Sequence, residues 1–413
     1  MARQKRGSKA ADTAARHGRL RRSVSWANAA KVLLTAVLVF AISGVSVAAY
    51  AVWGMAKDVK TIDLGPEPDA EAIGAGVDTL DGELTILLVG SDHVSEDSEV
   101  YDGRDEANLN DVNLLLHIPA DHKSATIISF PRDTMLPIPS CTDPETGDVY
   151  DSMSEQQLNS AMSYGGVPCV AATISELTGI EIPYAAMVTF DGVINISNAI
   201  GGVTVCLAQP IEDGETGLNL PEGLVTLKGG EALQFLRTRY GVGDGSDVSR
   251  ISNQQVFMSA LLRQVRSSET LTNPLKVYSL AKAGFESLEL SKSMASVQFL
   301  QALAGTVVDI DLDRVNFVQY PTYTHPYHPG RLAPDYEAGN ELMRVVMSGE
   351  PFTVAGAGEA AIEATPTTPA PTPDASGETG GTGTEAPPTT VLPESVTGQK
   401  ASDETCSAGR TQW

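Results

Sequence analysis

Basic side chains are scarce. The 413 residues hold 28 Lys and Arg against 52 Asp and Glu, a formal net charge of −24. A chain this acidic is poorly suited to wrapping a nucleic-acid backbone, which argues against nucleic acid as a partner. Cysteine is sparse at four, and none has the spacing of a metal-ligand set. No Gly-Lys-Ser phosphate loop is present, which argues against ATP as substrate. Ser91, Ser129 and Ser163 lack a nearby histidine for a triad, which excludes a serine hydrolase. His325 and His328 (THPYHPG) could bind metal but read better as solvent-exposed turn histidines. No internal repeat is evident.

The few basic residues are unevenly placed. Residues 1–31 carry nine Lys/Arg and one Asp, about +8, so the rest of the chain is near −32. Val32 to Ala56 then runs uncharged for 25 residues. At ~1.5 Å rise per residue such a helix reaches roughly 37 Å, enough to cross a ~30 Å hydrocarbon core with tilt. Tyr50 and Trp53 near its far end suit the interface, and the basic head points the N-terminus to the cytoplasm. The expectation is a single-pass protein of the cell membrane with its body outside. A cleaved signal peptide, with Ala49-Tyr50-Ala51 as the small-residue site, is the competing reading. An oxidising exterior permits disulfides. Cys141 and Cys169 flank one loop–helix segment and are the favoured pair; Cys206 with Cys406 follows by elimination, with unpaired thiols as the alternative.

Residues 57–82 are polar and read as a stalk. From Glu83 short apolar runs recur at 84–90, 112–118, 124–130, 185–190, 203–208 and 315–320, as expected of strands buried on both faces. Helix-like stretches at 155–163, 168–178, 192–200, 251–267, 274–287, 291–304 and 335–347 alternate with them. The pattern predicts an α/β domain over 83–350, a three-layer α-β-α sandwich around a central sheet. Residues 351–413, rich in Thr, Pro, Ala, Gly and Glu, read as a disordered tail.

The arginines of this acidic body stand at suggestive places. Arg132 follows a strand at once, where ligands of α/β sheets bind. Arg237 and Arg239 share a face if their stretch is extended. Arg250 and Gln254 share one face of a predicted helix that Asp247 would cap. Arginines at a helix N-terminus make an anion site suited to phosphate. Asp92 ends one predicted strand and Asp111 opens the next; adjacent parallel strands would bring them to one sheet edge, where two carboxylates and phosphate oxygens suit Mg²⁺.

The blocks VGSD (89–92), ISFPRDTMLPIP (128–139), QLNSAMSYGG (157–166), NAIGGVTVCL (198–207), LNLPEGLVTLKGGEALQFLRTR (218–239) and DVSRISNQQVF (247–257) resemble, in this order, the LytR-CpsA-Psr (LCP) family. The resemblance covers about residues 83–267. It implies a fold with a central mixed sheet and a membrane-anchored phosphotransferase. Such an enzyme moves a glycopolymer from an undecaprenyl-pyrophosphate carrier onto peptidoglycan at the cytoplasmic membrane. It implies Mg²⁺ on Asp92 and Asp111, a pyrophosphate held by Arg132, Arg237, Arg239, Arg250 and Gln254, and a lipid tunnel lined by helices such as 168–178 and 192–200. Asp111 and Asp133 stand as general bases to choose between. A polyprenyl-pyrophosphate hydrolase, or a non-catalytic lipid-phosphate-binding regulator of the transcriptional-attenuator type, are the alternatives.

The sequence departs from the family pattern in several places. Leu109-Asn110-Asp111-Val112 replaces Arg-Ser-Asp-Thr, Gln157 stands for a Lys and Asn253 for an Arg, and Val94 lies where an Arg is often found. The pocket is therefore expected to be less positive than usual, with Arg104 as a compensating cation. Some relatives carry a second Cys where Leu224 stands, which favours Cys406 as the partner of Cys206. The cysteine-bearing pattern resembles actinobacterial members and implies an arabinogalactan-like or other secondary wall polysaccharide.

Overall fold

The structure, a computed structural model, describes residues 59–65, 79–92, 109–267, 273–363 and 389–411. They belong to one compact unit, Trp53–Trp413. The expected anchor at 32–56, the basic head, Val94 and Arg104 lie outside the described residues. Among the described residues no helix is long and apolar enough to cross a membrane.

Eight strands form the central sheet: β1 (Thr61–Ile62), β2 (Leu84–Ser91), β3 (Asn110–Ile118), β4 (Ala125–Ser129), β5 (Tyr184–Val188), β6 (Leu288–Ser291), β7 (Val315–Gln319) and β8 (Gly398–Lys400). Their order is β1-β6-β5-β2-β3-β4-β7-β8. The sheet is mixed: β2 runs parallel to β5 and β4 to β7, while β2–β3, β3–β4 and β7–β8 are antiparallel. Among the described residues seven α-helices accompany it: α1 (Ala161–Thr178), α2 (Phe190–Ile200), α3 (Gly230–Arg237), α4 (Asp247–Arg266), α5 (Pro274–Ser287), α6 (Val297–Val308) and α7 (Tyr336–Ser348).

Alternation along the strands builds the layers. Leu87, Val89 and Leu115 face one side and pack with Val170 and Ile174 of α1 and Leu342 and Val345 of α7. Leu84, Ile86 and Ile118 face the other and pack with Phe299 and Ala302 of α6 and Met258 of α4. The α-β-α arrangement and the six predicted strands are thus present. The stretch read as a helix at 155–163 is instead the strand Met153–Gln157, paired antiparallel with Met135–Ile138, followed by a 3-10 turn at Leu158–Ser160.

Two boundaries need correction. Part of the expected stalk is domain, because β1 extends the sheet and Ile62 and Leu80 are buried. Part of the expected disordered tail is domain as well. β8 adds to β7, and Thr405–Ser407 joins Gly223–Leu227, Val203–Leu207 and Ala361–Glu363 in a second sheet. Residues 364–388, which hold most of the Thr/Pro run, lie outside the described residues. The folded tail is polar, and its side chains bond inward: Gln399 donates to Ser259 (2.9 Å), Thr405 donates to Gln399 (2.8 Å), and Ser407 donates to Asn253.

Both disulfides form as expected, Cys141–Cys169 and Cys206–Cys406. The second joins directly opposed residues of parallel strands, with Cα atoms 4.4 Å apart. The first relies on Gly165: a Cβ there would lie 2.9 Å from the Cβ atoms of both cysteines.

Candidate anion and metal site

The site begins where β2 ends and β3 starts. These strands pair antiparallel, not parallel as the sequence suggested. The antiparallel pairing is what puts Asp92 and Asp111 at one edge, since a parallel partner would have its start at the opposite edge. Gly90 opposes Val112 and Ser91 opposes Asn110, so Asp111 is the extra residue of a β-bulge. A bulge re-aims a side chain, and here it frees Asp111 from the regular alternation. Asp92 is fixed across the gap: its Oδ1 accepts from the Leu109 N–H at 2.8 Å, and its own N–H donates to the Leu109 carbonyl at 3.2 Å.

The arginines converge on this edge from three elements. Arg132, just past β4, places Nη1 2.5 Å from Asp111 Oδ1. Asp247 opens α4 and is buried; its Oδ2 accepts from the Arg132 backbone N–H at 3.1 Å, and its Oδ1 lies 3.6 Å from Arg132 Nε. The same carboxylate pairs with Arg250, whose Nη2 also donates to the Asp111 carbonyl at 3.1 Å. Asp247 is therefore an ion-pair hub and not the expected helix cap; Ser246 caps α4 by accepting from the Ser249 N–H. Gln254, one turn beyond Arg250, donates to the Leu236 carbonyl at 2.9 Å.

Arg237 and Arg239 do not share an extended face. Arg237 closes α3 and lies over the Phe190 ring, 4.4 Å from its centroid, whereas Arg239 stands in the loop that follows. Arg239 donates through Nε to the Gly245 carbonyl at 2.9 Å and faces Asp133 Oδ2 at 3.8 Å. Asp133 is buried and also accepts from Gln157 (2.9 Å) and Arg331 (2.5 Å). Two hydrogen bonds and a further guanidinium at 3.8 Å make this buried carboxylate an anchor for cations.

Behind the polar cluster lies an apolar cavity. Leu88, Leu114, Val188, Val193, Leu236 and Met258 are among its walls, and Asp111, Arg237, Arg250 and Gln254 are among its polar lining. Of the two helices expected to line a tunnel, α2 does so through Phe190 and Val193; α1 packs on the opposite face of the sheet.

Charge is held under strain here. Burial pushes the Asp92 carboxyl above its ordinary range, and the neighbouring charge of Asp111 adds to the rise against the opposing Leu109 N–H. Burial pulls the Arg132 guanidinium down, but Asp111 and Asp247 together outweigh it and leave it raised. For Arg250, nearly sealed from solvent, burial wins and its proton affinity is lowered. The Nε atoms of Arg132 and Arg250 are buried and make no hydrogen bond. Two orphaned guanidinium donors beside a carboxylate pair are what an anion with a bound cation would complete.

A family model, LytR_cpsA_psr, matches residues 48–330. The chain belongs to the LytR_cpsA_psr family. It is 34% identical over 252 residues to the cell wall biosynthesis protein LcpA of Corynebacterium glutamicum, covering 54% of this chain and 48% of that protein. It is 28% identical over 194 residues to the polyisoprenyl-teichoic acid–peptidoglycan teichoic acid transferase TagT of Bacillus subtilis, covering 46% and 54%. The chain thus spans about half the length of these curated relatives. In structure it is similar to a LytR-Csp2A-Psr enzyme from Actinomyces oris, with a TM-score of 0.51 at 19% identity over 70% of this chain and 95% of that one. That likeness supports the mixed α/β fold.

The departures from the LytR_cpsA_psr pattern have structural accounts. Asn253 does not face the cavity; it is fully buried, donates to the Phe235 carbonyl at 2.8 Å and receives Ser407 from the tail. An arginine there would displace the tail. Gln157 keeps a hydrogen bond to Asp133 but brings no charge.

Proposed function

We propose that the protein is a membrane-anchored, Mg²⁺-dependent phosphotransferase that moves a glycopolymer from an undecaprenyl-pyrophosphate carrier to peptidoglycan, working outside the cytoplasmic membrane with residues 32–56 as its anchor. The observation that carries this reading is an apolar cavity with Arg237, Arg250, Gln254 and Asp111 in its lining and Arg132 paired to Asp111. Grease joined to guanidinium fits a lipid that ends in phosphate. The cavity volume is about 120 Å³, close to the ~150 Å³ at which an engineered cavity takes up benzene. It therefore admits a terminal stretch of prenyl chain, and a full tail requires its walls to part.

In this reading an acceptor hydroxyl of peptidoglycan attacks the glycan-side phosphorus and gives up its proton to a general base, Asp111 or Asp133. The bridging P–O bond breaks, and its electron pair leaves with undecaprenyl phosphate. Arg132 and Arg250 would bring guanidinium charge to the phosphate oxygens, and Arg237, which lies over the Phe190 ring and lines the cavity, would hold the lipid-side charge. Asp92 and Asp111 suit a hard divalent cation, which would neutralise the pyrophosphate when bound. The test is product analysis with the full-length chain in detergent, a lipid-linked donor and a peptidoglycan oligomer. Conjugate and polyprenyl phosphate are the expected products; free phosphorylated glycan without conjugate means a hydrolase instead.

Asp92 offers a prediction for the metal. Its folded pKa lies above the unfolded value of 3.8, so the folded state retains the extra proton. Metal-free stability from this group then falls as pH rises from 3.8 through the raised value. Asp92→Asn is expected to stabilise the metal-free protein slightly at neutral pH and to abolish the rise in melting temperature on adding Mg²⁺. Thermal unfolding with Mg²⁺ and with EDTA, from pH 4 to 8, checks both. A variant that still gains as much from Mg²⁺ as the wild type means that Asp92 is not a ligand.

A further inference from the structure

One cation of the site comes from outside the recognised sequence blocks. Arg331 lies one residue past the stretch matched by the family model and 198 residues from Asp133, yet its Nη1 donates to Asp133 Oδ1 at 2.5 Å. Gln157, which stands where the family pattern has Lys, donates to that same oxygen at 2.9 Å. Arg239 Nη1 faces the other oxygen at 3.8 Å. One buried carboxylate thus gathers two guanidinium groups whose side chains stay partly open to solvent, 39% for Arg331 and 31% for Arg239. The cluster keeps a net positive charge. The lost lysine charge at position 157 is replaced from a different part of the chain.

The segment that carries Arg331 is built to hold it. Thr322–Thr324 and Leu332–Pro334 pair as a hairpin, and the Leu332 N–H donates to the Asp133 carbonyl at 3.1 Å. The turn between them is closed on His325, whose N–H donates to the Arg331 carbonyl at 2.9 Å. The Nδ1 of His325 accepts the N–H groups of Tyr327 (3.2 Å) and His328 (3.1 Å). In the neutral ring that leaves the proton on Nε2, which donates to Glu155 Oε1 at 2.9 Å. His325 is therefore a buried brace and not the exposed turn residue the sequence suggested, although His328 is half exposed. Glu155, His325 and His328 are close enough to hold a metal. A metal on His325 Nε2 would require stripping that proton while Nδ1 still accepts, so the group is better explained as the tie between the hairpin and the Met153–Gln157 strand.

We propose that Arg331 is a substrate-binding residue that grips the glycan-side phosphate of the donor, paired with Arg239; the assignment rests on the lipid-pyrophosphate reading above. The ordering follows from the cavity. Arg237, Arg250 and Gln254 line it and so meet the lipid-side phosphate. Arg239 and Arg331 are not among its walls and are reached through Asp133, the neighbour of Arg132, one step further from the lipid.

The test measures binding of geranylgeranyl pyrophosphate and geranylgeranyl monophosphate to the full-length chain in detergent with Mg²⁺, by titration calorimetry. Arg331→Gln is expected to weaken the pyrophosphate roughly tenfold, the effect of one lost charge-assisted contact, and the monophosphate by less than about twofold. The same substitution is made on an Asp133→Asn background. If Arg331 touches the ligand, the tenfold loss persists there; if it only neutralises Asp133, the loss disappears and the proposal is wrong. Equal effects on the two lipids also overturn it. A wild-type protein that binds neither lipid overturns the parent reading and this one with it, whereas normal wild-type binding with an unaffected Arg331→Gln variant overturns the Arg331 assignment alone.

Discussion

Asparagine at position 247 is expected to lower conjugate formation by roughly a hundredfold and to destabilise the fold by about 3–5 kcal/mol. The reason is the number of charges that depend on this one carboxylate. Asp247 accepts the Arg132 backbone N–H, lies beside Arg132 Nε and pairs with Arg250, and both partners of the Arg250 pair are almost fully buried. Removing its charge leaves Arg250, already short of protonating support through burial, as an uncompensated buried cation. Arg132 would lose the contact that aims its guanidinium between Asp111 and the ligand space. The two effects separate in a second variant. Asp247→Asn with Arg250→Met is expected to regain most of the lost stability, because an apolar replacement for a buried pair is often neutral. It should regain none of the activity, since the anion site has then lost a donor. Urea unfolding and product analysis of both variants check this. An Asp247→Asn protein with unchanged unfolding midpoint and activity within twofold would show that the hub is ornamental.

What could be read in the sequence follows from how local the physics is. Most of the six apolar runs are strands buried on both faces, whereas Val203–Leu207 alternates with Thr204 exposed, and helices such as α5 and α7 announce themselves by period and by caps like Asp335. The stretch at 155–163 was misread because its pairing with Met135–Ile138 is tertiary and overrides local preference. Arg237 and Arg239 were placed on an extended run, yet Thr238 leaves the helix only after Arg237 has closed it. The aspartate pair was legible as chemistry but not as geometry: helix–strand alternation suggests parallel strands, while the β2–β3 antiparallel bulge decides where the carboxylates point. Arg331 carried no sequence signal at all. Nothing local links it to Asp133, and only the hairpin's register against the Asp133–Thr134 backbone brings the two together. The tail was misjudged because composition was averaged over residues that do not behave alike. The Thr/Pro run says nothing about the polar segment after it, which satisfies its backbone as a sheet strand and its side chains on α4.

That segment leads to the second large effect. Replacing Cys206 and Cys406 by serine is expected to destabilise the protein by about 5 kcal/mol, against about 3.5 kcal/mol for the Cys141–Cys169 pair, because the unfolded loops they close differ in length. The separations are 200 and 28 residues. The consequence should reach the site, because the tail packs on the loop that presents Arg239. The Thr411 N–H donates to the Gly243 carbonyl at 2.8 Å, Arg410 donates to the Tyr240 carbonyl at 2.8 Å, and Ser407 bonds Asn253 on α4. Without the crosslink the tail is still held by these contacts, by the β7–β8 pairing and by its strand in the second sheet, but no covalent bond fixes it there. Loosening it should let the 238–246 loop sample positions in which Arg239 no longer faces Asp133. The expected signature is a rise in donor KM with a smaller fall in kcat, since the lost element positions substrate and performs no bond-making step. Urea unfolding of the two serine pairs, with steady-state kinetics on each, checks the ranking. If the Cys206/Cys406 pair proves no more damaging than the Cys141/Cys169 pair, and KM is unmoved, then the tail closes the fold without governing the arginine loop.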